Sequence, residues 1–131
     1  MNGCSNEQSF KCVNAMKKIC DCGNAEFISD VKKRMPDDDL VIDMSDLFKI
    51  FGDGTRLRIL LALEEEEMCV EGISKTVDMS LSAVSHQLKV LKDANLVKGR
   101  RSGKQIYYSL CDEHVFVLLR TAIEHLTEDQ E

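Results

Sequence analysis

The chain changes its hydrophobic period once and then changes it back. Up to Ala94 the apolar residues recur at helical spacing. Beyond Ala94-Asn95 they alternate through LVKGRR and KQIYYSL, on either side of Ser102-Gly103, and from about Glu113 the helical spacing returns. Two alternating runs around a short glycine-containing turn read as a β-hairpin. A single hairpin set among helices leaves no material for a sandwich, a barrel or a doubly wound sheet, so the expected fold is mainly α with one small β element.

The residues before the hairpin sharpen this. A helix starting after about Asp39 and running to Phe51 shows Leu40, Met44, Leu47, Phe48 and Phe51, and Gly52-Asp53-Gly54 breaks it. A second, Thr55 to about Glu65, carries Leu57, Leu60, Leu61 and Leu63 as largely buried positions, with Glu64 to Glu67 as a solvated end. Two short helices follow, about Val70 to Val77 and, behind Ser80 as N-cap, on to about Asp93. In the latter Leu81, Val84, Leu88 and Leu91 mark the inward face, while Ser82, Ser85, His86, Lys89 and Lys92 point outward. A polar, partly basic outer face suits a DNA major groove, and the basic hairpin tip suits phosphate. Helix-turn-helix followed by such a hairpin is the winged helix-turn-helix arrangement.

Charge supports this uneven picture. The net charge is -6, against a generic polyanion binder, yet between Ser74 and Gln105 seven basic residues face only Asp78 and Asp93, a local excess of +5. Residues 1-38 read as an N-terminal extension with four cysteines and an amphipathic helix around Ala25 to Met35, closed by Pro36 and Asp37-Asp38-Asp39. Residues 39-131 form the DNA-binding and dimerisation domain. No apolar run approaches the roughly 20 residues needed to span a bilayer, and the N-terminus lacks a secretory layout, so a cytoplasmic protein without a membrane partner is expected. Six cysteines in such a chain point to thiolate chemistry rather than to disulfides.

The closing stretch, CDEHVFVLLRTAIEHLTE, holds two of the three histidines, each beside a carboxylate: Asp112, His114, His125 and Glu128. On one helix, eleven residues separate the histidines by roughly 20° round the axis but about 16 Å along it. One ion cannot touch both. A metal held at about 2 Å by imidazole and carboxylate needs a second, antiparallel copy of the helix, so that Asp112 and His114 of one chain meet His125 and Glu128 of the other, twice by symmetry. The ordinary alternative for Asp112 is a helix cap. Val115, Leu118, Leu119, Ala122, Ile123 and Leu126 form an apolar stripe too broad for one small domain, which marks the helix as a homodimer seam.

Over roughly residues 40 to 128 the chain resembles the ArsR/SmtB family of metal-responsive transcriptional repressors. The resemblance is carried by LFKIFGDGTRLRILLAL, EMCVEGI, SLSAVSHQLKVLK, LVKGRRSGKQIYYSL and the terminal DEH…IEHLTE, the last as in zinc and cobalt sensors with a site across the C-terminal helices of the dimer. It implies a homodimer joined through N- and C-terminal helices and double-stranded operator DNA carrying an inverted repeat. It also implies DNA contacts from Ser82, Ser85 and His86, with Arg100, Arg101 and Lys104 on the wing. Zn(II) or Co(II) is the implied effector, while the paired sulfurs of Cys20 and Cys22 would favour Cd(II) or Pb(II). Members with a thiolate site carry a second cysteine where this chain has Glu71, leaving Cys69 to combine with Cys20 and Cys22 as a candidate second site for soft ions.

Two other readings stay open: a repressor triggered by oxidation or soft-metal binding at Cys20, Cys22 or Cys69, and a metal-buffering protein that does not bind DNA. Enzymatic function is not expected, because the sequence holds neither a nucleophile motif nor a glycine-rich phosphate loop.

Overall fold

The computed structural model describes residues 19–128 and divides into two compact units, Met1–Val41 and Ile42–Glu131. Cys4 and Cys12 lie outside the described residues. In the first unit α1 (Ala25–Arg34) starts at Asn24, whose side chain accepts the backbone N–H groups of Glu26 and Phe27 at 2.9 and 3.3 Å. Glu26 in its first turn and Lys32, Lys33 and Arg34 in its last oppose the helix dipole. Its end precedes Pro36, which disfavours helical backbone at Met35. Asp37 then accepts the N–H of Leu40 at 2.9 Å and opens α2 (Asp38–Phe51).

From Ile42 onward the second unit is built around a single apolar cluster. Asp53 caps α3 (Gly54–Glu65) by accepting the N–H of Arg56 at 3.0 Å. The chain then makes a two-residue strand, β1 (Met68–Cys69), and α4 (Val70–Val77). Asp78 closes α4 in the left-handed region, φ 56°, a conformation in which its short polar side chain is better tolerated than most. Ser80 caps α5 (Leu81–Asp93), accepting from Ala83 N–H at 3.2 Å. The hairpin β2 (Val97–Ser102) and β3 (Gln105–Leu110) follows, and β3 lies between β2 and β1 in an antiparallel sheet. The last element, α6 (Glu113–Glu128), is capped by Asp112.

Every helix from α3 to α6 contributes to the core: Ile59, Leu60 and Leu63; Ile73 and Val77; Val84, Leu88 and Leu91; Val115 and Leu119. Leu96 and Val97 join them from the start of the hairpin. Each such side chain withdrawn from water stabilises the fold by about 1.5–3 kcal/mol before entropy is counted. Among the described residues no helix is long and apolar enough to cross a membrane.

Three expectations are corrected. Leu81 is 53% exposed rather than inward: it is the first residue of α5, ahead of Val84, where that helix first meets the core. The hairpin turn is Gly103-Lys104, not Ser102-Gly103, because Ser102 still pairs with Gln105. Gly103 stands at the first turn position with φ +65°, where glycine alone carries no steric cost. The third concerns Glu64 to Glu67, which are not a uniformly solvated end; two of them make the longest-range ion pairs of the second unit, described below.

Candidate metal centre and nucleic-acid interface

The outer face of α5 presents Ser82, Ser85, His86, Lys89 and Lys92 to solvent, all classed as exposed, while the inward face is held by Val84, Leu88 and Leu91. Lys89 reaches Asp93 at 3.4 Å across one turn, a solvated pair that leaves its ammonium available. Arg56 fixes the helix from beneath: its Nε donates to the carbonyl of Ile50 at 3.0 Å and its Nη1 to Gln87 Oε1 at 3.2 Å. The end of α2, the start of α3 and the middle of α5 are thus joined by one guanidinium. Sequence reasoning missed this, since an arginine in GTRLRIL carries no mark distinguishing a fork between backbone and side chain from a solvated charge.

On the wing, Arg101 and Lys104 are exposed and take part in no ion pair among the described residues. Arg100 differs. Its Nε and Nη2 donate to the two carboxylate oxygens of Glu67 at 2.9 and 2.7 Å, and its guanidinium lies 5.3 Å from the centre of the Tyr107 ring. The hydrogen bonds from Arg100 hold the Glu67 carboxyl below the usual carboxylate range. Of these three wing cations, one is therefore already gripped by a carboxylate of the same chain.

The metal candidates sort into two places on α6. Asp112 Oδ1 accepts the N–H groups of His114 and Val115 at 2.9 and 3.2 Å, and His114 Nδ1 stands 3.5 Å from the same oxygen. Capping therefore holds, and it does not consume the residue: one carboxylate oxygen does the capping, and Oδ2 is free to serve as a ligand. The cap bonds, that from Val115 foremost, lower the Asp112 pKa and keep it anionic. The His114 side chain is 92% exposed. His125 and Glu128 are exposed on the last two turns. Between the two places, on the same side of the helix, Val117 and Leu118 remain 56% and 37% exposed, while Val115 and Leu119, further round the helix, pack into the core. Among the described residues no three metal-ligating side chains converge within one chain.

The cysteines stand differently. Cys20 and Cys22 are exposed, with sulfurs 3.2 Å apart, and the hydrogen bond between them raises the Cys20 pKa above its ordinary value. Both belong to the first unit; Cys69, half-buried in β1 opposite Tyr107, belongs to the second. Glu71, two residues beyond Cys69, pairs with Lys75 at 3.2 Å.

One ionic contact of α6 escaped the sequence reading. Arg120 pairs through Nη2 with Glu64 of α3, whose side chain is only 3% exposed, and its guanidinium lies 5.7 Å from the Phe116 ring centre. Glu64 Oε2 is buried without a hydrogen-bond partner. Arg120 did carry a signal, being the only charge between His114 and Glu124; Glu64, in a run of four glutamates, carried none.

A family model for bacterial regulatory proteins of the arsR family matches residues 53–98. The chain is 37% identical over 130 residues, 98% of each chain, to a transcriptional repressor SmtB homolog of Synechocystis. It is 39% identical over 88 residues to a cadmium resistance transcriptional regulatory protein CadC homolog of Staphylococcus aureus, covering 66% of this chain and 73% of that one. A homodimeric winged helix-turn-helix DNA-binding domain from Mycobacterium bovis superimposes with a TM-score of 0.63 at 32% identity, over 72% of this chain and 94% of that one. The chain belongs to the ArsR family.

Proposed function

We propose that the chain is a metal-responsive transcriptional repressor that binds an inverted-repeat operator as a homodimer through α5 and the wing, and releases it when Zn(II) or a similar divalent ion is bound. The observation that carries the reading is the arrangement of α6. Asp112 and His114 stand together at its start, while His125 and Glu128 lie on its last turns, roughly 16 Å from His114 to His125 along the same face. Val117 and Leu118 lie uncovered between them. An antiparallel second α6 laid on that face covers the apolar residues and closes two donor sets, each of Asp112 and His114 from one copy and His125 and Glu128 from the other. Four nitrogen and oxygen donors fit a closed tetrahedral zinc site, and when bound the ion supplies a crosslink between the two helices. Co(II) fits the same donors; Cd(II) and Pb(II) are softer and suit sulfur better.

DNA contacts then fall to Ser82, Ser85, His86 and Lys89 in the major groove, with Arg100, Arg101 and Lys104 on phosphates. The names of the relatives support metal response and repression, and the M. bovis structure supports a homodimer. A titration of the operator-bound dimer with Zn(II) tests the reading: wild type releases DNA, and His125→Ala does not. A chain that binds no duplex specifically, with or without chelator, is instead a metal buffer.

A second reading is favoured by the 3.2 Å approach of the Cys20 and Cys22 sulfurs: a repressor whose trigger is a soft ion, Cd(II) or Pb(II), or thiol oxidation. Serine at Cys20, Cys22 and Cys69 together separates the two, since zinc-driven release survives that change only under the first.

A further inference from the structure

The four consecutive glutamates at the end of α3 divide their work. Glu64 is buried and holds Arg120 of α6, and Glu67, three residues on, holds Arg100 of the wing through both oxygens. Between them Glu66 ends the helix, donating its N–H to Ala62 at 3.1 Å. No other segment among the described residues makes ion pairs to both α6 and the wing.

We infer that this segment is a junction that couples the pose of α6 to the wing, with Glu64–Arg120 and Glu67–Arg100 as its two arms. The inference rests on the repressor reading above. Helical geometry sets the lever. Relative to His114, Val115 and Leu119 lie about 100° and 140° round α6 and Arg120 about 240°, while His125 returns to about 20°. Val115 and Arg120 are thus the two edges of the face that α6 turns to its own domain, and the histidines occupy the side away from it. A rotation of α6 that draws the histidine side toward a second subunit strains the Arg120 edge. Glu64 cannot follow gradually: with Oε2 already unpaired and the side chain buried, separation from Arg120 leaves a charge with no partner and no water. The end of α3 must move with α6.

At the other arm the choice is exclusive. A guanidinium fork occupied by both oxygens of a carboxylate cannot present the same fork to a phosphate. That Nε–Nη2 edge therefore serves Glu67 in one state and DNA in the other, with Nη1 outside the competition, and Glu67 weakens operator binding by competing for it. Both arms act by positioning; neither Glu64 nor Arg120 touches DNA or metal.

The test uses the full chain, Zn(II) and a duplex recovered from random-sequence DNA by selection with metal-free protein. In wild type, the Nε–H resonances of both Arg120 and Arg100 shift on zinc addition, and shift back with chelator. Glu64→Gln and Arg120→Gln take up zinc with wild-type stoichiometry and bind the duplex when metal-free, but the factor by which zinc weakens duplex binding falls about fivefold or more, toward the low end of ordinary coupling. Zinc-driven release with an unmoved Arg100 resonance, or Glu64→Gln releasing DNA as wild type does, overturns the junction while leaving the repressor reading intact. If either variant does not fold, the wild-type resonances decide alone. A wild type that takes up no zinc refutes the repressor reading and the junction with it.

Discussion

Glu67 accepts two hydrogen bonds from Arg100, at 2.9 and 2.7 Å, tying the link between α3 and β1 to the middle of β2 in the wing. Both residues lie at the surface, so the pair adds little to stability. Its effect is on availability: it occupies the one wing arginine that also stacks on Tyr107.

Glu67→Gln keeps the size of the side chain and removes the charge that competes with phosphate. Metal-free protein carrying it should bind operator more tightly, with the slope of log K against log salt unchanged, because Arg100 contacts phosphate in both complexes and only the cost of leaving Glu67 is removed. Fluorescence anisotropy across a salt series reads both. Unchanged affinity means that Glu67 does not compete with DNA for Arg100.

The same carboxylate gives the wing a pH dependence. Arg100 lowers the Glu67 pKa relative to that of an unfolded glutamate, so the pair's contribution is complete above the ordinary glutamate range and is lost as pH falls through the lowered value. The Arg100 Nε–H should stay protected from exchange at neutral pH and lose protection only in acid below the usual carboxylate range. In Glu67→Gln that acid step should be absent; its persistence would assign the step to another group.

Leu60 and Leu118 separate folding from assembly. Leu60 is fully buried, and Leu60→Ala should cost about 2–5 kcal/mol in urea unfolding. Leu118 is 37% exposed beside the histidine face of α6. Leu118→Ala should leave the domain folded and raise the dimer dissociation constant about tenfold, a loss of roughly 1.4 kcal/mol, as read by sedimentation equilibrium.

Ser80 supports α5 through a single capping bond at 3.2 Å. Ser80→Ala should lower stability by about 1 kcal/mol, and Ser80→Gly by only a few tenths. Asparagine keeps an acceptor and should largely restore the loss; a loss from Ser80→Asn equal to that from Ser80→Ala would show that the capping bond is not the source.

The fold was legible because its elements are periodic: the hairpin and the outward face of α5 follow from spacing alone, whereas the apolar stripe read on α6 is divided, Val115 and Leu119 lying in the domain's own core and Leu118 and Leu126 exposed. Leu81 and the turn register were not legible, because each depends on one residue at the end of an element, where periodicity carries least information. Asp112 shows a different limit. Spacing marked it as a metal ligand or a cap, and the structure lets one oxygen cap while the other is free to coordinate. The ion pairs Glu64–Arg120 and Glu67–Arg100 span 56 and 33 residues. Such partners are chosen by tertiary placement, so a run of four like glutamates concealed one buried residue and one that restrains the wing.

Each proposed metal site is shared between two chains. Mixing Asp112→Ala/His114→Ala protein with His125→Ala/Glu128→Ala protein and counting bound Zn(II) tests it most directly. Neither parent forms a complete site. A heterodimer, however, brings the intact Asp112 and His114 of one chain to the intact His125 and Glu128 of the other. The predicted result is tight binding of one Zn(II) per heterodimer, absent from both parents. No recovery of zinc binding in a confirmed heterodimer, or full binding in either parent alone, would contradict it.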